Sequence, residues 1–165
     1  MIILGIDPGT ATTGFGVIRR LPNNKIEHVN HGIISTPAGM LDCHRLQIVS
    51  NEMKKLFKKY QPDLISVEKL FFFKNAKTVM NVSQSRGIIL LEAANAKVPL
   101  FEFTPLQAKM AITGYGRANK KQIQKMVQMI LGLETIPRPD DAADALAMAI
   151  CCAHSYKFAK LTKKS

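Results

Sequence analysis

Met1-Ile2-Ile3-Leu4-Gly5-Ile6-Asp7-Pro8-Gly9-Thr10 is the stretch on which the reading of this chain turns. An apolar run without polar alternation predicts a strand buried on both faces. Pro8-Gly9 then turns the chain immediately after a carboxylate. A carboxylate that closes a buried strand must be neutralised, hydrogen-bonded or bound to a cation.

The same device recurs. Leu64-Ile65-Ser66-Val67 is a second apolar run, closed by Glu68. Asp141 and Asp144 stand three apart in Asp141-Ala142-Ala143-Asp144-Ala145-Leu146-Ala147-Met148, a helical stretch on which positions i and i+3 share a face. The small Ala142, Ala143 and Ala145 let that helix approach a sheet closely. Four converging carboxylates repel one another and raise their pKa values unless a divalent cation is present. Two Mg²⁺ ions would balance them charge for charge, with Mn²⁺ as the plausible substitute, the signature of a two-metal phosphoryl-transfer site.

Composition points the same way from outside. The 165 residues carry 23 Lys+Arg against 12 Asp+Glu, a net charge of +11. With the four carboxylates set aside, the remainder stands at +15. A basic exterior around a small acidic pocket suits a polyanion whose phosphate meets metal. A 47% hydrophobic content suits one compact domain, expected over residues 1–157, with a basic tail over 158–165. The first residues lack the basic start of a signal peptide. The run from Ala145 to Ala153 is too short to span a bilayer. Cys43 alone and the adjacent Cys151-Cys152 fit neither a disulfide scaffold nor a zinc site with His28, His31, His44 or His154, and a cytoplasmic protein is expected.

The elements read as strands at Met1–Asp7, Gly14–Arg20, Ile26–Ser35, Leu64–Glu68 and Pro99–Phe103. Helices are expected from about Met40 to Tyr60, from about Ala76 to Ala96, at Pro105–Thr113, at Asn119–Leu131, and from Pro139 or Asp140 to about Tyr156. The order βββ-α-β-α-β-α-α-α predicts an α/β fold, a five-stranded mixed sheet with helices on its faces. The helix from Ala76 is apolar over more than one stripe, so it reads either as a central core helix or as one that also meets a partner.

Gly5-Ile6-Asp7-Pro8-Gly9-Thr10 with Gly14-Phe15-Gly16-Val17, then Val67-Glu68 before an aromatic loop, then Asp141-Ala142-Ala143-Asp144-Ala145-Leu146-Ala147, resembles the RuvC family of Holliday-junction resolvases over essentially the whole chain. The resemblance implies a ribonuclease-H-like fold, a homodimer, and Mg²⁺-dependent cleavage of four-way DNA junctions that leaves 5′-phosphate and 3′-hydroxyl ends. It also implies work in recombination and repair beside the branch-migration complex RuvA-RuvB. Carried over by position, the catalytic and metal-binding residues are Asp7, Glu68, Asp141 and Asp144.

Among Phe71-Phe72-Phe73, directly after Glu68, Phe71 takes the family's base-stacking position, and core burial is the competing role. Lys109, Arg117, Lys120, Lys121 and Lys125 cluster around Tyr115 and read as phosphate contacts. Lys125 fits a solvated helix face better, while Lys109 and Lys120 match basic positions of the family. Two other classes stay open: an actin-like phosphotransferase or ATPase, because Asp7-Pro8-Gly9-Thr10 also resembles that fold's phosphate hairpin, and a catalytically silent junction-binding module.

Overall fold

The computed structural model describes residues 1–69 and 76–162. Five strands, β1 (Ile2–Asp7), β2 (Thr12–Arg20), β3 (Ile26–Ser35), β4 (Leu64–Glu68) and β5 (Leu100–Phe103), form one sheet in the order β3-β2-β1-β4-β5. β1, β2 and β3 make an antiparallel meander, while β4 and β5 run parallel to β1. The helices are α1 (Asp42–Tyr60), α2 (Ala76–Asn95), α3 (Pro105–Thr113), α4 (Lys120–Leu131) and α5 (Asp140–Thr162). The expected α/β fold with a mixed sheet is therefore present.

Side-chain alternation divides the core in two. Ile3 and Ile18 face α5 and join a cluster with Leu64, Leu146 and Ile150. Leu4, Ile6, Val17, Ile65 and Val67 face the other way, against Val49, Met53 and Phe57 of α1 and Ile89 and Ala93 of α2. Both faces are covered, which is why β1 and β4 read as unbroken apolar runs.

Several boundaries shift by one or two residues from the sequence reading and the end of α5 shifts further; the shifts of β2 and α5 have a clear cause. β2 begins at Thr12, where Thr12 and Thr13 pair with Ser35 and Ile34, and the buried Thr13 hydroxyl donates to the Gly9 carbonyl at 2.6 Å. α5 continues past Tyr156 to Thr162, since nothing after Pro139 is Gly or Pro to stop it. The expectation for α2 is met on its core side by Ile89 and Ala93, while Met80 and Leu91 lie exposed on its outer side.

α5 lies on the sheet at a distance only glycine permits. A Cβ on Gly5 would come within 2.1 Å of the Ala145 carbonyl oxygen, one on Gly14 within 2.0 Å of the Asp141 oxygen, and one on Gly16 within 2.7 Å of the Leu146 nitrogen. Gly5 and Gly16 are partners in the β1–β2 register, and Asp7 is paired with Gly14. The opposing helix face is Ala142, Ala145 and Ala149, all fully buried. Ser66 on β4 completes the contact by donating to the Met148 carbonyl at 2.8 Å.

Gly5→Ala must push α5 away from the sheet, because the atoms it meets belong to backbone. We expect a loss of about 3 kcal/mol in denaturant unfolding. Gly87→Ala, on α2 with nothing within 4 Å inside the chain, is expected to leave the packing of the chain itself undisturbed.

Candidate active site

The period of two that buries Ile3 and Gly5 against α5 also delivers Asp7 to that face, and Leu64-Ser66-Glu68 does the same on β4. Ile6 is paired with Val67, so the next residues along the two parallel strands, Asp7 and Glu68, are neighbours. They hydrogen-bond to each other, with the Asp7 carboxyl as donor to the Glu68 carboxylate. Burial first, then the charges of Glu68, Asp144 and Asp141, push the Asp7 carboxyl up to about 8. Glu68 is also raised, by burial and by Asp144, against the opposing hydrogen bond from Asp7.

The first turns of α5 bring the other two. The Asp141 backbone rests on Gly14, and Asp144 lies one turn further, facing Glu68 across a cleft. Burial raises the Asp144 carboxyl and outweighs the lowering effect of Lys120. Lys120, the first residue of α4, places its ammonium 3.1 Å from Asp144 Oδ2 and 3.4 Å from Asp140 Oδ2. Asn119 caps α4 in a reciprocal capping box with Gln122, which fixes where Lys120 leaves the helix. Desolvation works against the charge on Lys120, but its contacts with Asp144 and Asp140 win and hold its pKa above the usual lysine value.

Asp140 has a structural role. It accepts from Gln124 Nε2 at 3.0 Å and pairs with Arg138 at 3.1 Å, and these groups, Gln124 foremost, hold its carboxyl below the usual range. It thereby ties α4 to the start of α5. Gln124 and Arg138 had no motif to mark them. Glu92 and Glu102 are structural as well: Glu92 accepts from Ser50 at 2.6 Å and pairs with Lys54, and Glu102 pairs with Arg86.

The cleft holding Glu68 and Asp144 is lined further by Pro105, Ala108, Lys109, Lys120 and Ile123. Lys109 and Lys120 thus stand at the acidic pocket, whereas Arg117 and Lys121 are exposed and line neither this cleft nor the one at Asp141. Phe71 lies outside the described residues. Asp141 opens into a second cleft with Gly9, Thr12, Arg45 and Asn81.

The donor set is all oxygen, the chemistry that Mg²⁺ and Mn²⁺ prefer. Among the described residues, no three carboxylate, histidine or cysteine side chains stand as a ready-made cage for one ion. The Asp7–Glu68 hydrogen bond and the Lys120 ammonium take up the charge instead.

The family model for crossover junction endodeoxyribonuclease RuvC matches residues 3–152. A crossover junction endodeoxyribonuclease RuvC from Syntrophomonas wolfei is 52% identical over 165 residues, spanning 100% of this chain and 95% of that protein. Another from Thermosipho melanesiensis is 51% identical over 158 residues, 96% of this chain and 100% of that one. Among solved structures, T. thermophilus RuvC in complex with a Holliday junction substrate superposes with a TM-score of 0.87 at 28% identity, covering 96% of each chain. A buried acidic pocket at a glycine-seated helix, matched along its length in sequence and fold, places this chain in the crossover junction endodeoxyribonuclease RuvC family.

Proposed function

We propose that this chain resolves four-way DNA junctions by paired, symmetric hydrolytic nicks, with Asp7, Glu68, Asp141 and Asp144 as the metal-binding catalytic residues. The observation that carries the reading is the buried Asp7 carboxyl, raised to about 8 by burial and three neighbouring carboxylates. Such a cluster has no structural use, and divalent cations relieve it. Membership of a nuclease family spanning the chain favours this over the actin-like phosphotransferase and over a silent binding module, which would be expected to lose a carboxylate.

Asp7, on the central strand, would give its proton to water and become the shared ligand of two ions, with Glu68, Asp141 and Asp144 dividing the remaining positions. Lys120 would leave Asp144 and turn to the incoming phosphate, with Lys109 beside it. Two divalent ions bound there, Mg²⁺ or its substitute Mn²⁺, supply the Lewis acidity that activates water and offsets charge on the departing 3′ oxygen. Because that oxygen leaves, the ends are a 5′-phosphate and a 3′-hydroxyl. No side-chain nucleophile is needed. Arg117 and Lys121, exposed at the α3–α4 turn and the start of α4, would meet the DNA backbone further out. Phe71, in the segment after Glu68, would stack on an unpaired base at the branch point.

A junction has approximate two-fold symmetry, so a homodimer puts one site on each of two opposed strands. The outer side of α2 supports this: Met80, Gln84, Gly87, Leu91 and Ala94 recur at intervals of four and three, and all are exposed in the single chain. Work in the cytoplasm beside the RuvA-RuvB branch-migration complex completes the reading. Among the described residues no helix is long and apolar enough to cross a membrane.

The direct assay is the purified protein with Mg²⁺ on a synthetic four-way junction, with linear duplex as control. Symmetric nicks on the junction and little cutting of the duplex are expected; equal cutting of both contradicts junction selectivity. Asp7→Asn should abolish cleavage while leaving junction affinity within about two-fold, because the basic surface that supplies affinity is untouched. A variant that still cuts at the wild-type rate removes Asp7 from the site.

The raised Asp7 pKa has a sign that melting curves can read. Between about pH 4, where an unfolded aspartate titrates, and about 8, the metal-free fold retains a proton that the unfolded chain has lost. Stability must therefore fall as pH rises through that window. Without metal, Asp7→Asn is expected to melt several degrees higher than the wild type at pH 8 and to converge with it near pH 4. Wild-type and variant curves that run parallel across the window contradict the assignment.

Leu91→Glu puts a charge into the outer α2 face and is expected to give a monomer by analytical ultracentrifugation that makes single rather than paired nicks. A dimer that persists in Leu91→Glu moves the interface elsewhere.

A further inference from the structure

Arg45 has no part in the account so far, and its surroundings are built with care. It sits in the first turn of α1, half-buried, and donates from Nε to the Thr36 hydroxyl at 2.8 Å. That hydroxyl is itself buried and gives its only hydrogen to the Thr10 carbonyl at 2.7 Å, so toward Arg45 it can act only as an acceptor. The Thr36 amide donates to the Ala11 carbonyl at 3.0 Å, and the fully buried Ser85 of α2 reaches the Thr10 hydroxyl at 3.4 Å. Thr36, in the segment after β3, thus holds one face of the guanidinium and is itself fixed by the β1–β2 turn, with Ser85 of α2 behind Thr10.

Its other face meets no partner among the described residues. Among the described residues the two terminal nitrogens of Arg45 have no hydrogen-bond partner, and no carboxylate lies within 4.0 Å of them. Arg45 lines a cleft of about 500 Å³ with Gly9, Thr12, Asn81 and Asp141. A half-buried arginine held at Nε beside a cleft, with no carboxylate within salt-bridge distance among the described residues, is arranged for an external anion. Among the described residues Arg45 is the one basic side chain lining the cleft, which suits a single phosphate.

We infer that Arg45 clamps one backbone phosphate of the strand being cut, next to the scissile one, and so sets which bond meets the carboxylates. This rests on the junction-cleaving reading above. Asp141 on the same cleft wall would repel that phosphate while its own charge is unneutralised, so the clamp would be strongest once the carboxylates are balanced. Asp141 faces the Arg45 cleft and Asp144 the Glu68 cleft, so the start of α5 divides the two. A strand crossing that helix end would offer successive phosphates to each side. The Asn81 amide and Thr12 hydroxyl on the cleft wall are further donors for the same group.

The test is a neutral-phosphate scan with Arg45→Gln and Arg45→Met. Four-way junctions carrying one methylphosphonate at each position around the cut are incubated with the wild type and each variant in Mg²⁺, and thermal melts confirm folding. The wild type is expected to cut about ten-fold slower when one phosphate beside the scissile position is neutral. The variants should be about ten-fold slower on the natural junction and indifferent to that same replacement. A role of Arg45 as a mere strap between α1 and the β1–β2 turn would slow cleavage without removing sensitivity at one position. Variants as sensitive as the wild type at every position, or cutting at its rate, overturn the clamp. If neither variant folds, the wild-type scan decides: a single sensitive flanking phosphate upholds the inference, and none defeats it. Failure of the wild type to cut any junction would instead overturn the parent reading and this one with it.

Discussion

The contact on which the rest depends is the seating of α5 against backbone glycine. Gly5, Gly14 and Gly16 leave a bare strip on β1 and β2, and the alanine face of α5 settles into it with main-chain atoms closer than any Cβ would allow. The benefit is positional. Asp141 and Asp144 arrive on the first turns of a helix that cannot slide outward without losing its whole packed face. Asp7 and Glu68 arrive on the same side by strand alternation. A larger residue at any of the three glycines would separate two halves of one site, so the fold's tightest packing and its chemistry share the same atoms.

Charge is the second constraint, and it runs opposite to stability. Packing brings carboxylates into a space where burial raises Asp7, Glu68 and Asp144 alike. Without metal the molecule copes by sharing a hydrogen bond between Asp7 and Glu68 and by laying Lys120 on Asp144. Asp140, by contrast, is fully partnered by Gln124, Lys120 and Arg138 and acts as the latch between α4 and α5. Two acidic residues side by side at one helix start therefore have different work, decided by their neighbours.

Much of this was legible in the sequence because the signals were local. An apolar run ending in Asp7, another ending in Glu68, and an alanine-flanked Asp141–Asp144 pair specify strand ends and a helix face without knowledge of distant contacts. The missing parts depend on long-range pairing. Gly5 and Gly16 mean nothing until register sets them opposite each other beneath α5. Lys120 reads as a phosphate contact, and only the packing of α4 beside α5 shows that it first meets Asp144. Arg45 carries no motif, since its significance lies in Thr36 and Thr10, which the chain brings together across β3. The length of α2 announced surplus apolar surface but not which residues would stay outside.

If the glycine-seated packing assembles a divalent-cation site from Asp7, Glu68, Asp141 and Asp144, metal stoichiometry must follow both the carboxylates and the glycines. Counting bound Mn²⁺ by electron paramagnetic resonance on the purified protein tests it most directly. Two ions per chain in the wild type are expected, with loss of both in Asp7→Asn and weakened binding in Gly5→Ala even under conditions where that variant stays folded. Undiminished Mn²⁺ binding by Asp7→Asn would contradict the account.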